Sequence, residues 1–425
     1  MELGSWWFSR MSWPIVGLLE VASITAKLVD PRDSLYADVP LVAPDHVESE
    51  TGRILAFQSA QAQEAISGKY LVEATDVIYS KIRPYLMKVA IPGRPVLCSA
   101  DMYPLHCGEK ILPDYLKQVL LGNPFTQFAI ACSNRTGIPK VNREELAQFR
   151  FRLPDLETQR NISSKANIWD DAIATANALH LELERRKQGL MQQLLTGRRR
   201  LKGLKGKWKP IRVGSFADDF RSINTAGQAL PVLSCTKYAG LVDSLQYFNK
   251  QVFSENTTTY KIVKRGQFVY ATNHIEEGSI GYQDLFDAAL VSPMYTVFEP
   301  DAAVINHQFL YMLLKTEAMR RVFEATTHSS VDRRGSLRWP EFAKLKINIP
   351  PMPEQERIVE VLSTASRAVD LAKQQFDELK AQKRALMQKL LSGEWRVPEA
   401  PAQSKPASKK GLQPPNNVRK QLSKM

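Results

Sequence analysis

Apolar residues recur at alternating steps of four and three along two stretches of the chain. The first seam runs Ile162, Ala166, Trp169, Ile173, Ala176, His180, Leu183, Lys187, Leu190, Leu194. The second runs Ile358, Leu362, Ala365, Val369, Ala372, Phe376, Leu379, Lys383, Leu386, Leu390. A seam kept up over several heptads predicts a long coiled-coil helix in each place. Pro154 and Pro350 precede the seams, and Gly197 and Gly393 stand where a helix stops. About 37 residues rising about 1.5 Å each make a rod of roughly 55 Å. That is longer than a compact core requires, so both helices read as spacers. Lys187 and Lys383 interrupt the seams at equivalent places. Either they snorkel from a frayed end, or they select the register between the two copies. His180, opposite Phe376 in the alignment, reads as a packed seam residue rather than a ligand.

The two stretches are copies of one another. A shift of 196 positions lays Pro154 on Pro350 (350 − 154 = 196), Gln159 on Gln355 and Ile162 on Ile358. The same shift lays KQGLMQQLLTG on KRALMQKLLSG. The regions ahead of the helices echo each other too: Trp13-Pro14 with Trp208-Lys209-Pro210, Tyr70 with Tyr260, Tyr79 with Tyr270, and Met102-Tyr103 with Met294-Tyr295. Each region ends in an alternating run, FRFRLP or LKINIP, that leads into the proline. The chain is therefore a divergent tandem duplication in which a globular region and a long helix alternate.

Within each globular region, short β-branched runs alternate with Gly, Pro and Asn turns, and amphipathic helices are predicted at 113–122, continuing from Pro124, and at 306–325. The fold class is α+β: two mixed regions separated by two long coiled-coil helices, with a pseudo-two-fold internal repeat. The expected boundaries are 1–152 for the first region and 153–201 for the first helix. The second region is 202–348, with a basic linker at 197–210, and the second helix 349–397. A tail at 398–425, rich in Pro, Ala, Ser, Gln and Lys, is expected to be disordered.

The balance of charge narrows the partners. Lys and Arg number 57 against 44 Asp and Glu, a formal net charge of +13. That favours an acidic partner, nucleic acid first. The linker GRRRLKGLKGKWKP carries no acid and reads as a solvated tether or a phosphate contact. The second copy has Glu394 where the first has Arg198, so this charge is not part of the repeat. Cys98, Cys107, Cys132 and Cys235 form no CxxC pair and have no zinc-ligand spacing; they read as reduced structural thiols of a cytoplasmic protein. No apolar run is long enough to span a membrane, and the first residues, broken by Arg10 and Pro14, do not make a signal peptide.

Catalytic motifs are absent. The chain has no GxGxxG turn, no GxxxxGK[ST] loop and no Asn/Asp-Pro-Pro-aromatic run, and its Glu378-Leu379-Lys380 sits on a coiled-coil helix rather than in a nuclease site. No catalytic residue, metal ligand or bound cofactor is expected. Recognition remains. Two basic, loop-bearing regions joined by fixed spacers suit duplex DNA read as two half-sites. Forked and amide side chains read base edges, while lysines mostly find phosphates. In the first region the candidates are Lys81 and Arg83 in YSKIRPY, with Asn134, Arg135, Lys140, Asn142 and Arg143 in CSNRTGIPKVNR. In the second they are Lys237 and Tyr238, Asn273 and His274, and His328, Ser329, Arg333, Arg334 and Arg338 in THSSVDRRGSLRW. The two late loops fall at the same place in the repeat, just before the final strand and helix.

The start PPMPEQERI, the exits KQGLMQQLLTG and KRALMQKLLSG, and the segment DVIYSKIRPYL, set in a two-fold repeat, resemble the DNA-specificity subunit of type I restriction–modification systems. The resemblance covers residues 13–397. It implies that each globular region is a target-recognition domain and that the two long helices pack antiparallel and set the spacing between half-sites. It also implies modification subunits, two in number, that carry S-adenosylmethionine and adenine methylation. Restriction subunits would bring ATP and Mg and cut the DNA. The first helix start, LPDLETQRN, lacks the Pro-Glu-Gln core, so its cap is expected to differ. The competing reading is a coiled-coil scaffold whose globular ends bind proteins.

Overall fold

The computed structural model describes residues 13–24, 28–133, 138–328 and 336–395. The chain divides into two compact units. One takes Met1–Ala176 and Gln375–Met425, the other Asn177–Gln374. Each long helix is thus shared. Its first half belongs to the unit that precedes it and its second half to the other.

Both units are built on one plan. In the first, Ile15–Gly17 pairs antiparallel with Arg150–Arg152, the strand that leads into the first long helix. A four-stranded sheet runs in the order Ala22–Ile24, Met102–Cys107, Val77–Ser80, Val89–Ala90. A five-stranded sheet follows the order Leu28–Val29, Lys69–Val72, Val96–Cys98, Pro40–Val42, Gln58–Ser59. In the second unit Lys209–Arg212 pairs with Lys346–Ile349. The four-stranded sheet there runs Ala217–Asp219, Tyr295–Pro300, Phe268–Ala271, Ile280–Tyr282. The remaining sheet runs Lys261–Lys264, Ala288–Val291, Val232–Thr236, Gly240–Asp243. Among the described residues each unit contains one parallel pairing, at the same position of the same sheet: Leu41 with Leu97, and Leu233 with Val291. Val77–Ser80 and Phe268–Ala271 are buried at every position, as the central strands of two-sided sheets must be.

The long helices run from Leu156 to Leu194 and from Met352 to Leu391. No seam position on either is exposed, which is what the four-and-three spacing demands. Gly197 and Gly393 close the helices in the left-handed region, at φ +71° and +70°. Lys383 settles one of the two lysines. It is 8 % exposed, and its Nζ donates to Asp170 Oδ1 at 2.6 Å, so it is a buried ion-pair member and not a snorkelling end.

The repeated glutamine explains how each helix is set on its domain. Gln159 Oε1 accepts from the Leu112 amide at 2.8 Å, while its Nε2 donates to the carbonyls of Lys110 (2.9 Å) and Pro154 (2.8 Å). Gln355 does the same with the Asn306 amide (2.8 Å) and the carbonyls of Val304 (3.2 Å) and Pro350 (3.0 Å). Both side chains are buried. Each ties the loop before an amphipathic helix to the first turn of a long one.

The amphipathic helices differ from expectation in one place. The first pair is Pro113–Leu121 and Asn123–Ser133, broken at Gly122 as expected. The single helix expected at 306–325 is instead His307–Leu314 and Glu317–His328. Thr316 makes the break. Its hydroxyl donates to the Leu313 carbonyl at 2.7 Å and accepts from the Met319 amide at 3.3 Å, a local side-chain bond that competes with helix continuation.

The basic linker is also divided. Arg200 folds back on buried Glu354, with Nη2 donating to Oε2 at 2.5 Å and Nε to Oε1 at 3.1 Å, and the Trp208 indole adds a bond at 3.2 Å. Arg200, itself exposed, is therefore tied to the fold by its ion pair; Arg198, Arg199, Lys202, Lys205, Lys207 and Lys209 are exposed as well. All four cysteines are free thiols, and burial pushes those of Cys107 and Cys235 up to about 12. Among the described residues, no helix is long and apolar enough to cross a membrane.

Candidate nucleic-acid interface

In the first unit the buried strand Val77–Ser80 runs out into Lys81, Ile82 and Arg83. This segment pairs with the chain that returns from the late loop. The Val141 amide donates to the Lys81 carbonyl at 2.9 Å, and the Arg83 amide to the Pro139 carbonyl at 2.8 Å. Ile82 and Lys140 form an antiparallel bridge between them. Residues separated by some sixty positions in sequence are thereby joined, and Lys81, Arg83, Lys140, Asn142 and Arg143 are gathered on one small ribbon.

Their side chains differ in what they have left to offer. Arg83 and Lys140 are exposed, and Arg83 sits at φ +50°, a strained conformation for an arginine. Lys81 Nζ lies 5.4 Å from the centroid of the Tyr103 ring, and the Arg143 guanidinium lies 5.8 Å from the same ring. Arg143 also donates to the Tyr70 hydroxyl at 3.3 Å. Burial raises the Tyr103 hydroxyl above its ordinary range, with Arg143 opposing. Tyr103 is only 6 % exposed, so it acts as a fixed plate that aims two cations. Asn142 is engaged in a capping box: its Oδ1 accepts from the Glu145 amide and the Glu145 carboxylate accepts from the Asn142 amide, each at 2.8 Å. Asn134 and Arg135 lie outside the described residues.

The second unit repeats the junction. The Leu337 amide donates to the Thr272 carbonyl at 2.9 Å, the counterpart of the bond from Val141 to Lys81. Asn273 and His274 follow, and His274 Nδ1 lies 3.4 Å from Glu277 Oε1. Each junction then turns through a short 3-10 segment, Pro84–Leu86 or Ile275–Glu277. Both turns close in the left-handed region, at Met87 (φ +49°) and Gly278 (φ +94°).

Lys237 and Tyr238 sit on the exposed hairpin turn after Val232–Thr236, with Lys237 Nζ 5.5 Å from the Tyr238 ring centroid. Lys315 ties this turn to the other. Its Nζ donates to the carbonyls of Lys237 (2.7 Å) and Gly278 (2.8 Å). Burial lowers the Lys315 pKa. Arg338 precedes the short helix Trp339–Phe342 as its N-cap. His328 ends the helix Glu317–His328, and Ser329, Arg333 and Arg334 lie outside the described residues.

Tyr70, Tyr103 and Lys315 were not singled out from sequence as parts of this surface. Both tyrosines were visible as repeat markers beside Tyr260 and Tyr295, but nothing local links them to Lys81 or Arg143. His274, Glu276 and Glu277 bring potential ligand atoms within 4.8 Å of one another. Two of the three are exposed, and His274 already faces Glu277, so the group reads as a polar turn.

Comparison with known proteins converges on the same reading. Residues 13–185 and 223–381 match the family model described as type I restriction modification DNA specificity domain. Over 151 residues the chain is 37% identical to the specificity subunit of the type I restriction enzyme EcoDI from Escherichia coli, a match that spans 36% of this chain and 33% of that protein. It is 23% identical over 341 residues to the MjaVIII specificity subunit of Methanocaldococcus jannaschii, covering 72% and 76% of the two chains. A solved chain from a study of assembly and conformational transition in the type I R-M system superposes with a TM-score of 0.58 at 21% identity, over 90% of this chain and 97% of that one.

Proposed function

The chain belongs to the type I restriction modification DNA specificity family, and from that premise we propose that it is the sequence-reading subunit of a type I restriction–modification complex. The regions 1–152 and 202–348 serve as two target-recognition domains, one per half-site of a split DNA sequence. The long helices, 153–201 and 349–397, set the gap between the half-sites, and the 398–425 tail adds at most weak electrostatic contact. The chain does no chemistry itself. Two modification subunits bring S-adenosylmethionine and methylate adenine, and restriction subunits bring ATP and Mg and cut unmodified DNA in the cytoplasm.

The observation that carries this reading is the repeated junction. The same backbone bond, Val141 to Lys81 and Leu337 to Thr272, presents different side chains in the two units. Lys81, Arg83, Lys140 and Arg143 offer phosphate and guanine contacts on one side. Lys237, Tyr238, Asn273, His274 and Arg338 do so on the other, with the late-loop residues Asn134, Arg135, Ser329, Arg333 and Arg334 completing the sets. One scaffold with two unlike reading surfaces suits an asymmetric, bipartite target.

The test is to map methylated adenines in cells that carry this chain with its modification partner. The expected result is one split, asymmetric motif. A continuous motif, or methylation independent of the chain, would reject the proposal. Removing one heptad from each long helix is expected to change the gap and leave both half-sites as they were.

A further inference from the structure

Inside the first unit, a pocket of about 60 Å³, open to solvent, lies where the Glu50–Thr51 turn and the helix break at Gly122 meet Asp170 and the last turns of the second long helix. Met87, Leu121, Ile173, Met387 and Leu391 give it an apolar wall. Most of the charges around it are matched, and burial works against the charged form of Lys117, which lies beside Asp170 and Lys383. Glu50 takes Lys380 at 2.7 Å and Arg384 at 3.5 Å, and Asp170 Oδ1 takes Lys383 at 2.6 Å. Two buried polar atoms are not matched: Gln118 Nε2 and Asp170 Oδ2 have no hydrogen-bond partner among the described residues. Gln118 lines the pocket and is 2 % exposed. A buried donor left unmet destabilises the free chain, and such groups are rare in native structures unless something else completes them.

We propose that this pocket binds a small-molecule carboxamide on a short branched apolar stem. The carboxamide oxygen accepts from Gln118 and its NH2 donates to Asp170 Oδ2, while the stem lies on the apolar wall. A carboxamide carries both roles, so the pairing holds whichever way the Gln118 amide turns. A carboxylate head would face the Asp170 carboxylate with no donor to give it; Lys380, Lys383 and Arg384 are engaged, and burial works against the charged form of Lys117. A hydrocarbon would leave both polar atoms unmet. The site stands apart from the DNA-reading junctions and does not depend on that reading.

The experiment uses the full chain, with 4-methylpentanamide as probe and 4-methylpentanoate as the matched acid, followed by saturation-transfer NMR and thermal melting. The amide is expected to bind in the millimolar range, and the acid at least about fivefold more weakly because its head leaves Asp170 without a donor. Gln118→Met should abolish amide binding and raise the melting temperature, since the unmet donor is gone. A glutamine that served only the fold would instead lower it when replaced. Should Gln118→Met not fold, Ile173→Phe narrows the apolar wall and is expected to block the probe. Absence of amide binding, an acid that binds as well, or wild-type binding by whichever of these variants folds would each overturn the proposal. A saturating amide should also leave association with the modification subunit unchanged. Loosened association would reassign the pocket to a partner's side chain and overturn the small-molecule assignment.

Discussion

In the first unit Lys383 is buried against Asp170, and a shift of 196 positions lays these two on Lys187 and Ser366 of the second (383 − 187 = 196; 366 − 170 = 196). The second unit has lost the acid, and its lysine is only half-buried. The reverse holds at the start of the long helices. There the second unit buries Glu354 beneath Arg200 and Trp208, while the first has Thr158 at the matching place. Asp155 compensates in the first unit by capping Thr158, its Oδ1 accepting from the Thr158 amide at 2.9 Å. That bond, with one from the Thr158 hydroxyl to Oδ2 at 2.8 Å, holds the Asp155 carboxyl below its usual range. The two units therefore share strand order, turn geometry and the glutamine clamp, yet each is keyed by a different buried charge. Duplicated backbones tolerate this because a buried ion pair contributes little net stability but strongly penalises a mismatched partner.

The sharpest way to break the comparison is to remove one key. Asp170→Ala leaves Lys383 buried without a partner and should cost the first unit about 3 kcal/mol. The double variant Asp170→Leu with Lys383→Met should recover most of that, because an apolar pair replaces both charges. Ser366→Ala in the second unit should change stability little. Denaturant unfolding of the three variants separates the cases, and equal losses at Asp170 and Ser366 would mean the ion pair keys nothing.

The glutamine clamp should behave in the opposite way, alike in both units. Gln159→Leu and Gln355→Leu each strand a buried amide and two carbonyls, at a cost of about 2 kcal/mol apiece. Hydrogen exchange at the Leu112 and Asn306 amides reads each loss locally. If only one amide lost protection, the clamps would not be equivalent. The clamp was half legible in the sequence. The repeat marked Gln159 and Gln355 as positions under a shared constraint, but the amides they accept from lie 47 and 49 residues away and no local pattern names them.

The same limit governed the rest of the molecule. The long helices were readable because a heptad seam is a local, periodic signal that does not depend on what packs against it. The sheets were readable only as strands, since the parallel pairing of Leu41 with Leu97 is a long-range event. At the candidate interface, loop residues such as Lys81 and Arg143 could be proposed from their chemistry alone. The Tyr103 ring that aims both could not, because it stands on a buried strand and looks like core.

That ring gives the next contrast. Arg143→Ala should weaken DNA binding by about 1 kcal/mol and relax only the half-site read by the first unit. Arg333→Ala, in the matching late loop, should act on the other half-site by about 1–3 kcal/mol if it reads a base bidentately. Binding to duplexes altered in one half-site at a time distinguishes the two. A loss spread evenly over both halves, with a shallower salt slope, would make the residue a phosphate contact instead.

The smallest expected difference is in acid. The helix that follows the break begins with Glu317 in the second unit and with Asn123 in the first. Glu317 Oε1 accepts from Arg320 Nη2 at 2.7 Å, and this bond, with help from Arg321, brings its carboxyl down to about 2 from 4.5. A carboxylate with a depressed folded pKa adds stability that is complete above pH 4.5 and fades as pH falls towards 2. The group is solvent-exposed, so the effect is small and salt-sensitive. Glu317→Gln should flatten the acid limb of second-unit stability slightly, as seen in amide exchange along Glu317–His328 between pH 5 and 3. Asn123 carries no charge to titrate, so the helix Asn123–Ser133 should show no matching change over that range. An acid limb identical in both helices, or one unmoved by Glu317→Gln, would place the sensitivity elsewhere, with the Asp155 cap of the first unit the next group to test.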